Sequence, residues 1–236
     1  MNSHPQPRLT AAAFTLIELL TVITIIAILM GLLFPAINIA KDQANKAKAK
    51  AAVTGIAAAV KQYYTEYGKY PIGASTITGD VTFGDKAANT NQLLFDILTN
   101  YPDQGSGKPN TYNPRGIPYF EGKQASDPGA PRDGFTPTGA SGSYTVRSFL
   151  DPWGTEYRVV LDNDYDNQIT TLPYTDFGAA TTGPRTGVAV YSLGKDKSLG
   201  KTSSTPGSGP YGGSNGDNYF RNPTTNTNSD DVISWQ

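Results

Sequence analysis

From Phe14 to Ile37 the chain reads FTLIELLTVITIIAILMGLLFPAI, apolar at nearly every position. A bilayer core about 30 Å thick asks for roughly 20 predominantly apolar residues in a helix that rises about 1.5 Å per residue. Phe14 to Phe34 meets that length. The polar side chains in this run are Thr15, Glu18, Thr21 and Thr24. A threonine hydroxyl can bond back to a carbonyl one turn earlier, so Glu18 is the one expensive residue. A carboxylate at mid-membrane costs about 2.5–3.5 kcal/mol, and less near the end of a span, where it reaches the headgroups. Glu18 reads either as such an edge residue or as a charge kept for a partner. The nearest cations are Arg8 before the run and Lys41 after it. A cut before Phe14 would create an amine one helical turn from Glu18. That amine, on this chain or a neighbour, is its natural counter-ion.

Pro35 closes the apolar run. Its missing N–H predicts a kink or a local loss of helix, with Gly31 adding freedom just before it. The pattern then changes to the alanine-rich INIAKDQANKAKAKAAVTGIAAAVKQYYTEYG. Ile37, Ala40, Ala44, Ala47, Ala51, Ile56, Val60 and Tyr64 trace a predicted helical stripe, with lysines on the other faces. Gly68, followed by Pro71, predicts the stop. Continuous from Phe14 to Tyr67, this helix would be about 80 Å long. Its small side chains suit close approach of other helices, and equally a plain juxtamembrane stalk.

After Gly68 the periods shorten. QLLFDILT, Gln92 to Thr99, predicts a short helix with Leu93, Leu94, Ile97 and Leu98 inward and Asn89, Thr90 or Asn91 as its cap. Tyr101 to Gly142, rich in Pro, Gly, Asp and Ser, predicts a long loop with at most a short strand at Ile117–Phe120. Strands are expected at Tyr144–Leu150, Glu156–Leu161, Gly187–Leu193 and Val232–Trp235. Asp151-Pro152-Trp153-Gly154 reads as a turn, Asp162 to Asn167 as an acidic turn, and Gly194 to Asp230 as a second long loop. The expected class is α+β. A leader, 1–13, precedes a long helix, 14–68, whose part 14–37 spans the membrane. That helix packs on a small antiparallel sheet in a head, 69–236, with long loops.

Composition narrows the chemistry. The chain has no cysteine and one histidine, His4 in the leader. Disulfides, thiol catalysis and Cys-based metal sites are excluded, and a chain cut before Phe14 has no histidine base. HExxH and phosphate-loop motifs are absent, so no enzyme is expected. A net charge of −1 offers no field for nucleic acid. The 25 glycines and 17 prolines, against 17% charged residues, describe a turn-rich head. Met1 to Ala13 is polar and lacks the apolar centre of a secretory signal, so the anchor outlasts any cleavage. Its Arg8 favours a cytoplasmic N-terminus with the rest outside. An uncleaved signal anchor is the alternative.

Two acidic groups offer oxygen ligands to calcium, which takes six to eight of them at about 2.3–2.6 Å. The first joins Asp196, Asp230 and Asp231, with the Leu193 and Val232 carbonyls and the Ser198 hydroxyl to complete the shell. Two independent solvated turns are the other reading. The second is Asp162, Asp164 and Asp166 in LDNDYDNQI, which has the D-x-D-x-D opening of a calcium loop. Asn167 and Pro173 stand where an EF-hand places glycine and glutamate. A hairpin turn with Asp and Asn side chains bonded to the backbone explains it equally.

A short leader followed by FTLIELLTVITIIAIL resembles the N-terminus of type IV pilins and type II secretion pseudopilins. The resemblance implies cleavage by prepilin peptidase between Ala13 and Phe14, methylation of the new Phe14 amine, and polymerisation through the helix, with Glu18 and Pro35 serving assembly. The residue before the cut is usually glycine and here is alanine; the usual basic residue near the cut is displaced to Arg8. YYTEYGKYP, DPWGTEYRVV, YSLGKD and DDVISW are similar in order to the major, G-type pseudopilin, apart from two enlarged loops, 101–142 and 197–229. That family implies a pilin-like α+β fold and a calcium-bound C-terminal loop in place of a disulfide. It also implies a single-pass inner-membrane subunit with its head in the periplasm, working with minor pseudopilins and an inner-membrane secretion platform. A surface type IV pilin, for adhesion, motility or DNA uptake, and a membrane-anchored binding module are the alternatives.

Overall fold

The computed structural model describes residues 15–74, 77–85, 90–102, 110–137, 146–172, 183–197 and 231–235. The chain is α+β and divides into two compact units, Met1–Ala44 and Asn45–Gln236. Helix α1, Leu16–Tyr67, forms the described part of the first unit and opens the second. It continues through Pro35, so the predicted local loss of helix there is absent. One missing N–H is a small defect in a run of 52 residues rich in good helix formers. Gly68 ends the helix with φ 66°, its N–H donating to Tyr64 O at 2.8 Å. Only glycine adopts that left-handed conformation without a Cβ penalty.

In the second unit α1 turns Ala49, Val53, Ile56, Val60 and Tyr63 into the core. These are spaced by three and four, as a buried helix face requires. The expected stripe holds at Ile56 and Val60, which are buried, and fails at Ala47, Ala51 and Tyr64, which are exposed. Alanine occurs on every face here, so periodicity alone cannot choose among them. The larger Val53, Ile56 and Tyr63 decide, because each buries far more apolar area.

Among the described residues six strands follow: β1 (Val81–Phe83), β2 (Gly134–Phe135), β3 (Phe149–Leu150), β4 (Arg158–Leu161), β5 (Val188–Ser192) and β6 (Val232–Ile233). The main sheet is antiparallel in the order β1-β4-β5-β6, and β2 pairs separately with β3. One face, with Val81, Phe83, Val159, Leu161, Val188, Val190 and Val232, packs in the same core as α1 and helix α2, Gln92–Leu98. The opposite face, with Val160, Ala189, Tyr191 and Ile233, is covered by Ile169, Leu172, Leu193 and Trp235. Burial on both faces explains why β4 and β5 read as nearly unbroken apolar runs.

Several expectations change. The chain at 117–120 forms no strand; Tyr119 N and Phe120 N both donate to Leu98 O, at 2.8 and 3.1 Å. β1 was not predicted, since three residues carry too little period to see. In α2, Leu93 is exposed and Phe95 is buried in its place. Phe95 joins Phe120, Phe135 and Phe149 in a cluster with centroids 4.8–6.3 Å apart. Asn91 precedes α2 but makes no side-chain cap. Its buried amide donates to Phe149 O and Tyr157 O and accepts from Phe149 N, at 2.9, 3.0 and 2.9 Å, tying β3 to the start of β4.

Candidate functional site

Every large apolar side chain from Leu16 to Phe34 is exposed. The helix contains an 18-residue window of mean hydropathy 2.7, none of it buried. By length and composition it can cross a membrane. Monomeric soluble proteins rarely leave so continuous an apolar surface in water. Thr21 and Thr24 follow the sequence expectation, their hydroxyls donating to Glu18 O and Leu20 O at 2.9 and 2.7 Å.

Glu18 has a local partner that sequence reading missed. Thr15 N and Thr15 Oγ1 both donate to Glu18 Oε2, at 2.8 and 2.7 Å, and Glu18 N donates to Thr15 Oγ1 at 3.2 Å. This is a reciprocal capping box, and its signal, Thr-x-x-Glu ahead of an apolar run, is present as T-L-I-E. The carboxylate also faces the positive end of the helix dipole. Ala13 and Phe14, the expected processing positions, lie outside the described residues.

In the second unit the C-terminal acidic set is placed in part. Leu193 is buried just after β5, Asp196 lies exposed on the following turn, and Asp231 is buried just before Val232 in β6. Ser192 pairs with Val232, so continuing that register sets Leu193 opposite Asp231. Ser198 and Asp230 lie outside the described residues.

The other acidic set changes membership. One carboxylate oxygen each from Asp80, Asp162 and Asp164 falls within 4.8 Å of the others. Asp166 is not a member of this group; its Oδ1 accepts from Gln168 N at 2.8 Å. Asp80 was not foreseen; its signal was a Gly-Asp pair ahead of the short alternation Val-Thr-Phe. Burial holds the Asp162 carboxyl above its ordinary range, and neighbouring Asp164 adds to that.

Asp151 was read only as a turn residue. It has no exposed surface. Its Oδ1 accepts from Trp153 N and Thr155 N at 2.9 and 2.8 Å, and its Oδ2 from Ser192 Oγ at 2.6 Å. The DPWG turn is thereby bolted to the end of β5. Desolvation raises its pKa to about 6 in spite of those donors.

Residues 8–34 match the family model described as the prokaryotic N-terminal methylation motif. No curated protein and no solved structure matches the chain. The matched segment begins at Arg8, spans the Ala13–Phe14 junction and ends at Phe34. It marks the N-terminus of this chain as that of a prepilin-type, type IV pilin-like protein.

Proposed function

We propose that this chain is a filament subunit. Its leader is removed by prepilin peptidase between Ala13 and Phe14, and the Phe14 amine is methylated. The mature helix then exchanges lipid for the helices of other copies. The observation that carries this reading is the coincidence of the methylation motif over residues 8–34 with a helix whose apolar side chains are all exposed from Leu16 to Phe34. A helix in that state needs either lipid or other apolar helices around it.

Within that class we read a pseudopilin of type II secretion. It is held in the bacterial inner membrane with its head in the periplasm, and works with minor pseudopilins and a membrane platform. The absence of cysteine supports this over a disulfide-closed surface pilin.

Glu18 supplies the test. In the free subunit its carboxylate closes the Thr15 capping box. In a filament the amine of a neighbouring Phe14 would take up the charge, which desolvation between packed helices makes costly if unpaired. Glu18→Gln keeps a side chain able to cap and removes the charge; Glu18→Ala removes both. The expected outcome is membrane insertion by both variants and loss of sedimentable filaments in both. Normal filament yield from Glu18→Gln, with loss only in Glu18→Ala, would show that capping is the whole role of Glu18. Fibres on the cell surface at native expression, with secretion intact without them, would favour the surface pilin.

A further inference from the structure

We propose that Asp80, Asp162 and Asp164 form a calcium site that locks the outer end of β1 to the connection between β4 and β5. The register of the sheet brings the first two together. Val81 pairs with Leu161. One step further along the same ladder, Asp80 stands opposite Asp162. Like charges directly opposed across an antiparallel pair destabilise it. Asp164, two residues on, adds a third carboxylate, and the three oxygens lie within 4.8 Å of one another. Oxygens bound to one calcium ion at about 2.3–2.6 Å cannot be much farther apart than that.

A second observation points to a ligand. Asp162 is 2% exposed, yet its Oδ1 has no hydrogen-bond partner and no access to solvent. Asp80 Oδ1 is in the same condition. The other oxygen of each is satisfied: Asp162 Oδ2 accepts from Asn167 N at 2.9 Å. Asp80 Oδ2 accepts from Thr170 N, Thr170 Oγ1 and Thr171 N at 2.7, 3.2 and 3.1 Å. These bonds fix both carboxylates and leave Oδ1 of each without a donor. A buried carboxylate oxygen without a donor is costly, and none of the ion pairs among the described residues reaches this group. A divalent cation removes both problems at once.

The chemistry selects calcium. The three ligands are hard carboxylate oxygens, and calcium's remaining positions would fall to backbone carbonyls and water. Calcium accepts such an irregular set, whereas magnesium demands near-ideal octahedral geometry and thiolate- or imidazole-seeking metals find no partner here. A further tie already runs alongside, Asn163 Nδ2 donating to Ile77 O at 2.6 Å. The ion would complete a clamp between segments far apart in sequence. These three residues are none of those that the pseudopilin resemblance points to.

The full chain in detergent micelles, melted in calcium or in chelator and followed by tryptophan fluorescence, tests the assignment. Binding to the folded state alone raises the melting temperature by about 5–10 °C at a hundredfold excess over Kd. Terbium(III) is a second probe. The Asp162 N–H donates to Gly187 O at 3.2 Å, and the hydroxyl of Tyr70 fills the space that a Cβ on Gly187 would need. Tyrosine-sensitised terbium emission is therefore expected, and calcium should quench it by displacement. Asp80→Asn and Asp164→Asn should each abolish the calcium shift and the emission. Asp164 is exposed, so Asp164→Asn should melt in chelator at or above the wild-type temperature, which separates lost binding from lost folding. Equal melting in calcium and chelator would overturn the proposal. So would a shift that survives both substitutions and disappears when Asp230 and Asp231 are changed to asparagine, which would place the ion in the C-terminal loop.

Discussion

Asp151 and Asn91 show how single buried polar side chains organise the second unit. Each lies at a junction and satisfies backbone groups that the short strands cannot. Asp151 carries a testable pH signature. Its pKa in the folded chain is raised to about 6 from an ordinary value of 3.8, so the folded state holds the proton more tightly than the unfolded one. Its stabilising contribution is thus fully present below about pH 4 and is lost as pH rises through about 6. A shift of that size is worth on the order of 3 kcal/mol. In Asp151→Asn that titration is gone, while one oxygen remains for Trp153 N and Thr155 N. Comparing melting at pH 5 and pH 7, the wild type should gain stability on acidification relative to the variant. Parallel curves would mean that Asp151 stays ionised across this range. The sequence announced DPWG as a turn. It did not announce the bond from Ser192, forty-one positions away, because hydrogen bonds of that span follow only from the sheet register.

At the scale of elements, α1 meets two requirements along its length. From Leu16 to Phe34 it exposes large apolar side chains, and from Ala49 to Tyr63 it buries one stripe against α2 and the sheet. Ile56 is fully buried, so Ile56→Ala should destabilise the second unit by about 2–5 kcal/mol. Ile23→Ala should leave the melting of Trp153 and Trp235 fluorescence unchanged. Equal loss in both variants would contradict this division. The helix, its glycine stop, α2 and β4 to β6 were legible because each carries a sustained period or a clear turn. The stripe on α1 was legible at Ile56 and Val60 and lost elsewhere because alanine repeats on every face. β1 was missed for its brevity, and with it Asp80. Asp162 and Asp164 were legible as a pair, but the third member came from a different strand end, which no local motif encodes. The Thr15–Glu18 capping box was present in the sequence as Thr-x-x-Glu, and the weight of the membrane reading hid it.

At the scale of the whole molecule, one chain meets two environments. The second unit has its own core and covers both faces of its main sheet. The described part of the first has no core and a surface suited to lipid or to other helices. A leader ahead of such a helix makes sense if its removal marks the passage from membrane to filament. Mass spectrometry of the N-terminal peptide, on protein purified from membranes of its native host, tests this most directly. The expected result is a mature chain beginning at Phe14 with a methyl group on its amine. A chain that retains the residues up to Ala13 in the assembled protein would contradict it.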